Sequence, residues 1–147
     1  MSKASDAALL NTVANTAEVL AGAAPGYGEV DLSNFLTKPD NLMVGSRKGL
    51  VLFAKLDTSN YYEMHCLLTN QLRGRERFQL IRDAIWQLFT YRDCYAIVGP
   101  TPRENRAARA MNRALGGTPI GAKVDSLGRD CIIYKLERVK WVHSLGA

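Results

Sequence analysis

With 147 residues, 47% of them hydrophobic, the chain has the length of one ordinary domain and enough apolar material for a substantial core. A formal net charge of +5, from 19 basic against 14 acidic residues, favours an anionic partner: a nucleic acid, a phosphorylated small molecule or an acidic protein face. Three cysteines without CxxC spacing (Cys66, Cys94, Cys131), each inside an apolar run, read as reduced, buried packing residues of a cytoplasmic protein, and the two histidines (His65, His143) lack the companions of a zinc site, so no metal is expected.

The first expected element is a helix. Ser5 is placed to cap a run through DAALLNTVANTAEVLAGAA in which Leu9, Val13 and Leu20 fall on one stripe, and Pro25–Gly26 stops it. The stripe is thin and alanine-rich, so this helix is expected to lie against another surface, with a protein partner as one candidate. Asp6, Asn11, Thr12 and Glu18 interrupt its apolar character, which argues against a signal peptide or a membrane span. Residues 1–28 read as a helical arm and 29–147 as the main domain, with Tyr27 to Asp40 a short irregular link.

Beyond the link the signals alternate. GLVLFAKL (Gly49–Leu56) and YYEMHCLL (Tyr61–Leu68), joined by DTSN, read as an antiparallel hairpin. A helix follows from about Arg75 to Thr90, burying Phe78, Ile81, Ile85, Leu88 and Phe89. CYAIVGP (Cys94–Pro100) has the length and composition of a fully buried strand. Next comes a helix from about Arg103 to Leu115 with Ala107, Ala108, Met111 and Leu115 inward, ended by a left-handed Gly116 or Gly117. TPIGAKVDS and DCIIYKLERV form a second hairpin turning around Leu127 to Arg129. The order is β-β-α-β-α-β-β, an α/β (α+β) arrangement with a mixed sheet in which the two strands flanking the first helix run parallel. If those two splay apart, their free backbone groups can receive an extended ligand as an extra strand.

Two stretches carry a family resemblance. QLRGRE (Gln71–Glu76) lies between a strand and a helix, and ENRAARAMNRALGG spans the second helix; with them, the segment from about Gly49 to Val139 resembles the GNAT superfamily of acyl-CoA N-acyltransferases. The first stands where that family has a Gln/Arg-x-x-Gly-x-Gly/Ala turn, and the second where it has an Asn, an Ala three residues on, a Tyr at seven and a Gly-Phe ending. The resemblance implies a three-layer fold with a splayed parallel pair, and acetyl-CoA as a substrate. Physical chemistry agrees at the turn: a glycine feeding a helix start gathers free N–H groups and the positive end of the dipole, which suits a diphosphate. Gln71, Arg73, Gly74, Arg75 and Arg77 are the expected phosphate-binding residues there, with Asn105 and Ala108 beside the pantetheine arm and a backbone N–H near Leu68 facing the oxyanion.

The chain departs from the family pattern at three points. Glu76 brings a carboxylate to the phosphate turn, where it must either meet an arginine or turn outward as a helix-start acid. Asn112 stands where the family offers a tyrosine that protonates the departing thiolate, and an amide has no proton to give. The strand and helices that precede the family's central hairpin are expected here only as the arm and the irregular link.

Tyr61, Glu63 and His65 alternate onto one face of their strand, which makes Glu63 or His65 the candidate general base for an attacking amine. The competing reading of that face is a solvated hairpin side or a surface packed on the arm. At the level of the whole chain, the reading is an acetyl-CoA-dependent N-acetyltransferase acting on an amine, with catalysis possible or lost. Its rival is a non-catalytic interaction or virion protein on the same scaffold, since front-truncated chains of this kind also resemble proteins of tailed phages. Location follows accordingly: cytoplasmic, in a host cell or within a virion. Direct nucleic-acid binding ranks last, because no aromatics interleave the arginines from Arg103 to Arg113.

Overall fold

The computed structural model describes residues 3–23, 28–57 and 60–145. Two helices, α1 (Lys3–Ala14) and α2 (Ala17–Ala23), replace the single helix expected at the start, and Ser5 lies inside α1 rather than capping it. The break has a polar cause. The Asn15 side chain donates to the Val30 carbonyl and accepts from the Val30 amide, at 2.8 and 2.7 Å, while the Asn11 carbonyl oxygen takes the Leu32 amide at 2.7 Å. Two asparagines thus spend their amides on the link instead of on water, and the helix gives way beside them. The expected stop at Pro25–Gly26 and the hairpin tip at Thr58–Ser59 fall outside the described residues.

The link holds a short 3-10 turn (Ser33–Thr37) and then a strand that the sequence reading did not foresee, β1 (Leu42–Ser46), paired antiparallel with β2 (Gly49–Lys55). The front of the fold is therefore fuller than expected, with a strand and two helices before the central hairpin. β3 (Tyr61–Leu68) completes that hairpin, and α3 (Arg75–Tyr91) leads to β4 (Ala96–Pro102), which runs parallel to β3. After α4 (Arg106–Ala114), β5 (Thr118–Val124) and β6 (Asp130–Glu137) close a six-stranded sheet in the order β1-β2-β3-β4-β6-β5. The last strand stops at Glu137, short of the expected Val139, because Arg138 begins a terminal helix, α5 (Arg138–Leu145).

Alternation along the strands sends side chains to two cores, one on each side of the sheet. Val51 and Phe53 of β2 and Tyr62 of β3 face α3, where Ile81, Ala84, Ile85, Leu88 and Phe89 form the buried stripe, with Phe78 half-buried at its edge. Trp141 of α5 is buried in the same cluster beside Phe89. On the other side Leu50, Leu52 and Leu67 meet Leu10, Val13, Ala14 and Val19 of the two N-terminal helices. The buried stripe of the arm is thus Leu10, Val13, Ala14 and Val19, not Leu9, Val13 and Leu20, and this chain's own sheet covers it. The thin stripe that pointed to a protein partner is accounted for within the molecule. Cys94 and Cys131 are buried, whereas Cys66 is exposed, against expectation; all three are free. Burial pushes the Cys94 thiol up to about 12, as befits a packing residue. Among the described residues, no helix is long and apolar enough to cross a membrane, and no three His, Cys, Asp or Glu cluster as a metal site.

The arm's docking is testable through Leu10, whose side chain is 0% exposed. Leu10→Ala is expected to lower stability by about 2–5 kcal/mol in denaturant melts, whereas a freely hinged arm would lose almost nothing.

Candidate active site

β3 and β4 are hydrogen-bonded over three rungs only, Tyr61↔Ala96, Tyr62↔Ile97 and Glu63↔Val98. Both strands continue past the last rung, β3 to Leu68 and β4 to Pro102, each held on its outer side by seven register pairs, β3 to β2 and β4 to β6. Their facing edges diverge, and a cleft of about 520 Å³ opens between them. Such a volume lies in the range of small-molecule sites.

α4 forms one wall. Its expected inner residues Ala107, Ala108, Met111 and Leu115 all line the cleft, and no α4 residue is fully buried. That explains a helix whose apolar side is small: it faces the cavity and meets the core only at its end, through Met111 and Leu115. Asn105 caps this helix, its side-chain oxygen accepting from the Ala108 amide at 3.0 Å, and also borders the cleft. Gly116, at φ +93°, supplies the left-handed stop.

The opposite wall is the end of β3 and the turn into α3. Leu68, Asn70 and Arg77 line the cleft; Gln71, Arg73, Gly74 and Arg75, expected to bind phosphate, are exposed in the turn between Asn70 and Arg77 and are not among its lining residues. Gly74 has φ +46° with open space where a side chain would stand, and no side chain caps the helix behind it. The start of α3 therefore keeps its positive dipole end uncapped by any side chain, although the Glu76 amide turns back to the Arg73 carbonyl at 2.9 Å. Arg77 serves the turn itself, its guanidinium donating to the carbonyls of Leu72 at 2.7 Å and Thr69 at 3.1 Å. Glu76 is exposed in the first turn of α3 and is absent from the cleft lining, so it acts as the outward helix-start acid.

α2 reaches across the mouth of the cleft. Glu18 accepts from the Asn70 amide at 3.2 Å, and the Gly22 carbonyl accepts from Arg129 at 2.7 Å. Hydrogen bonds from its own backbone amide and from that of Asn70 hold the Glu18 carboxyl below its usual range. Arg129 is aligned by Asp125, at 2.8 Å, whose carboxyl is held low chiefly by the Arg129 backbone amide. One short helix is thereby tied to both sides of the opening.

Glu63 and His65 come together as expected, Oε1 to Nε2 at 2.7 Å, with side chains 25% and 47% exposed. Glu63 occupies the last paired rung and His65 lines the cleft just beyond it. Leu67, two positions on and on the same face, is buried under the arm. The competing reading of this face is met at its Leu67 end by the arm, while Glu63 and His65 keep contact with solvent. The register also places Tyr61, Lys135 and Glu137 on this face, a grouping that sequence reading missed because it depends on which strands are neighbours. Lys135 Nζ lies 5.3 Å from the Tyr61 ring centre and 5.7 Å from that of Tyr95, and hydrogen bonding to Tyr61 is the main cause that raises its pKa. Tyr95 in turn donates to Glu137 at 2.9 Å.

No family model matches the chain, and no curated protein matches it in sequence. Solved structures do. An uncharacterized protein from Bacillus halodurans superposes with a TM-score of 0.76 at 15% identity, over 99% of this chain and 86% of that one. An acetyltransferase of the GNAT family from Bacillus anthracis gives 0.67 at 17% identity, over 90% and 89%. The aminoglycoside acetyltransferase AAC(6')-Ib in complex with coenzyme A gives 0.74 at 14% identity, over 99% and 96%. At these identities the likeness establishes the fold, a mixed α/β sheet of the GNAT type with its parallel pair. No structural support attaches to the phage resemblance.

Arg77→Met is expected to cost about 1.5–3 kcal/mol, since two carbonyls lose a charged donor. Thermal melts check this; an unchanged melting temperature would mean that Arg77 does not brace the turn.

Proposed function

We propose that this chain is an acetyl-CoA-dependent N-acetyltransferase acting on an amine. The observation that carries the reading is the parted strand pair, with unpaired edges facing a cleft whose rim is an uncapped helix start at a positive-φ glycine. A thioester carrier fits this shape chemically. Its pantetheine amides match the free edges of β3 and β4, and its diphosphate matches the amides behind Gly74 with Arg73, Arg75 and Gln71 near them. Asn105 and Ala108 border the pantetheine path, and a backbone N–H near Leu68 would polarise the thioester carbonyl.

The acceptor amine arrives protonated, with a pKa near ~10, and must lose that proton before it attacks. The Glu63–His65 pair stands at the point where the strands part, so the proton leaves there directly or through water. The nitrogen then bonds to the acetyl carbon, the carbon–sulfur bond breaks, and the product is an amide plus the CoA thiol. An amine acceptor also accords with the aminoglycoside acetyltransferase among the structural neighbours.

Acetyl-CoA at 100 times its dissociation constant is expected to stabilise the chain by about 2.7 kcal/mol in a melting assay. In a thiol-release assay over a panel of primary amines, the double change Glu63→Gln, His65→Gln should lower turnover by about 10²–10⁴-fold and leave acetyl-CoA binding intact. No melting shift with acetyl-CoA would overturn the reading.

A further inference from the structure

Removing the acceptor's proton is half of the proton traffic; the departing sulfur also needs one. Asn112 cannot supply it, and its amide is already engaged, donating to Thr101 Oγ1 and to the Ala108 carbonyl, each at 3.0 Å. Beside it, at the inner end of the cleft, lies a cavity of about 20 Å³ bordered by Tyr134. Met64, Gly99, Asn112 and Leu115 border both spaces, so the two adjoin.

Tyr134 is 2% exposed, and its hydroxyl has no hydrogen-bond partner among the described residues. An unpaired buried hydroxyl is destabilising, a cost that a phenylalanine would avoid. The position of the ring gives the hydroxyl a use. Tyr134 of β6 is the cross-strand neighbour of Gly99 on β4, and Gly99 follows the last β3–β4 rung at Val98. Met64 of β3 and Val98 and Gly99 of β4, which surround the point where the two strands part, border the same cavity as Tyr134. Tyr134 thus shares a cavity with the residues at the apex of the wedge, where the thioester end of an inserted carrier would lie.

We propose that Tyr134 is the proton donor to the departing CoA thiolate, in place of a donor from α4; this rests on the acetyl-transfer reading. As the amine nitrogen bonds to the acetyl carbon, the tetrahedral adduct collapses, the carbon–sulfur bond breaks and its electron pair stays on sulfur. Sulfur takes the Tyr134 Oη proton. The phenolate regains a proton from water, for which a space of this size has room for about one molecule, while the ammonium proton leaves by way of Glu63 and His65.

The test needs no acceptor. Bound CoA thiol is titrated by the ultraviolet absorbance of its thiolate, in the unaltered chain and in Tyr134→Phe, with desulfo-CoA binding and the melting temperature measured alongside. A donor on sulfur favours the thiolate. The bound thiol should therefore titrate about one pH unit lower in the unaltered chain than in the variant, a tenfold difference in ionisation. Desulfo-CoA should bind both equally, and the variant should melt no lower. Identical thiol titrations, or an equal loss of desulfo-CoA binding, would overturn the role of Tyr134 while leaving the cleft reading in place. Failure of CoA to bind the unaltered chain would overturn both.

Discussion

Three rungs of parallel pairing, from Tyr61–Ala96 to Glu63–Val98, set the geometry on which everything else depends. Two parallel strands that part after so short a contact leave their inner amides and carbonyls without sheet partners, a state that proteins ordinarily avoid. Here it persists because each strand is held elsewhere: β3 along its whole length by β2, and β4 likewise by β6. Each half of the sheet is paired on its outer side, and the gap between the halves is what remains. α4 and the turn at Gly74 flank that gap, and α2, tied at Asn70 and Gly22, crosses its mouth.

The charge distribution agrees with this geometry. The arginine-only stretch that made the sequence look anionic-seeking resolves into different uses. Arg73 and Arg75 stand exposed at the rim of an uncapped helix, Arg77 folds inward to brace the turn, and Arg82 lies over the Phe78 and Trp141 rings. Arg73 and Arg75 are exposed beside an uncapped helix start, a setting that suits phosphate oxygens. The acidic residue that threatened this site, Glu76, turns to solvent.

Long, strongly patterned segments were readable from residues alone. The central hairpin, the stripe of α3 and the glycine stop after α4 follow from periods of two or 3.6 and from turn chemistry, whereas the strand expected fully buried over Cys94–Pro100 runs Ala96–Pro102 and is buried only in part. β1 escaped because it is five residues long and its own glycine, Gly45, reads as loop. α5 escaped because its start, Arg138, continues an apolar strand without a break in composition, and its packing is tertiary, through Trp141. At the site, Glu63 and His65 were legible because they share one strand. Tyr134, Lys135 and Glu137 were not, since their place beside the wedge depends on β6 being the neighbour of β4, which no local pattern encodes.

The central claim is that the parted edges of β3 and β4 receive an acyl-CoA as an added strand. Amide hydrogen exchange of Met64–Leu68 and Gly99–Thr101, measured with and without CoA, tests it most directly. The account expects protection to rise at those amides on both strands while the zipped rungs at Tyr61–Glu63 stay as they were. Exchange in both segments that is indifferent to saturating CoA would contradict it.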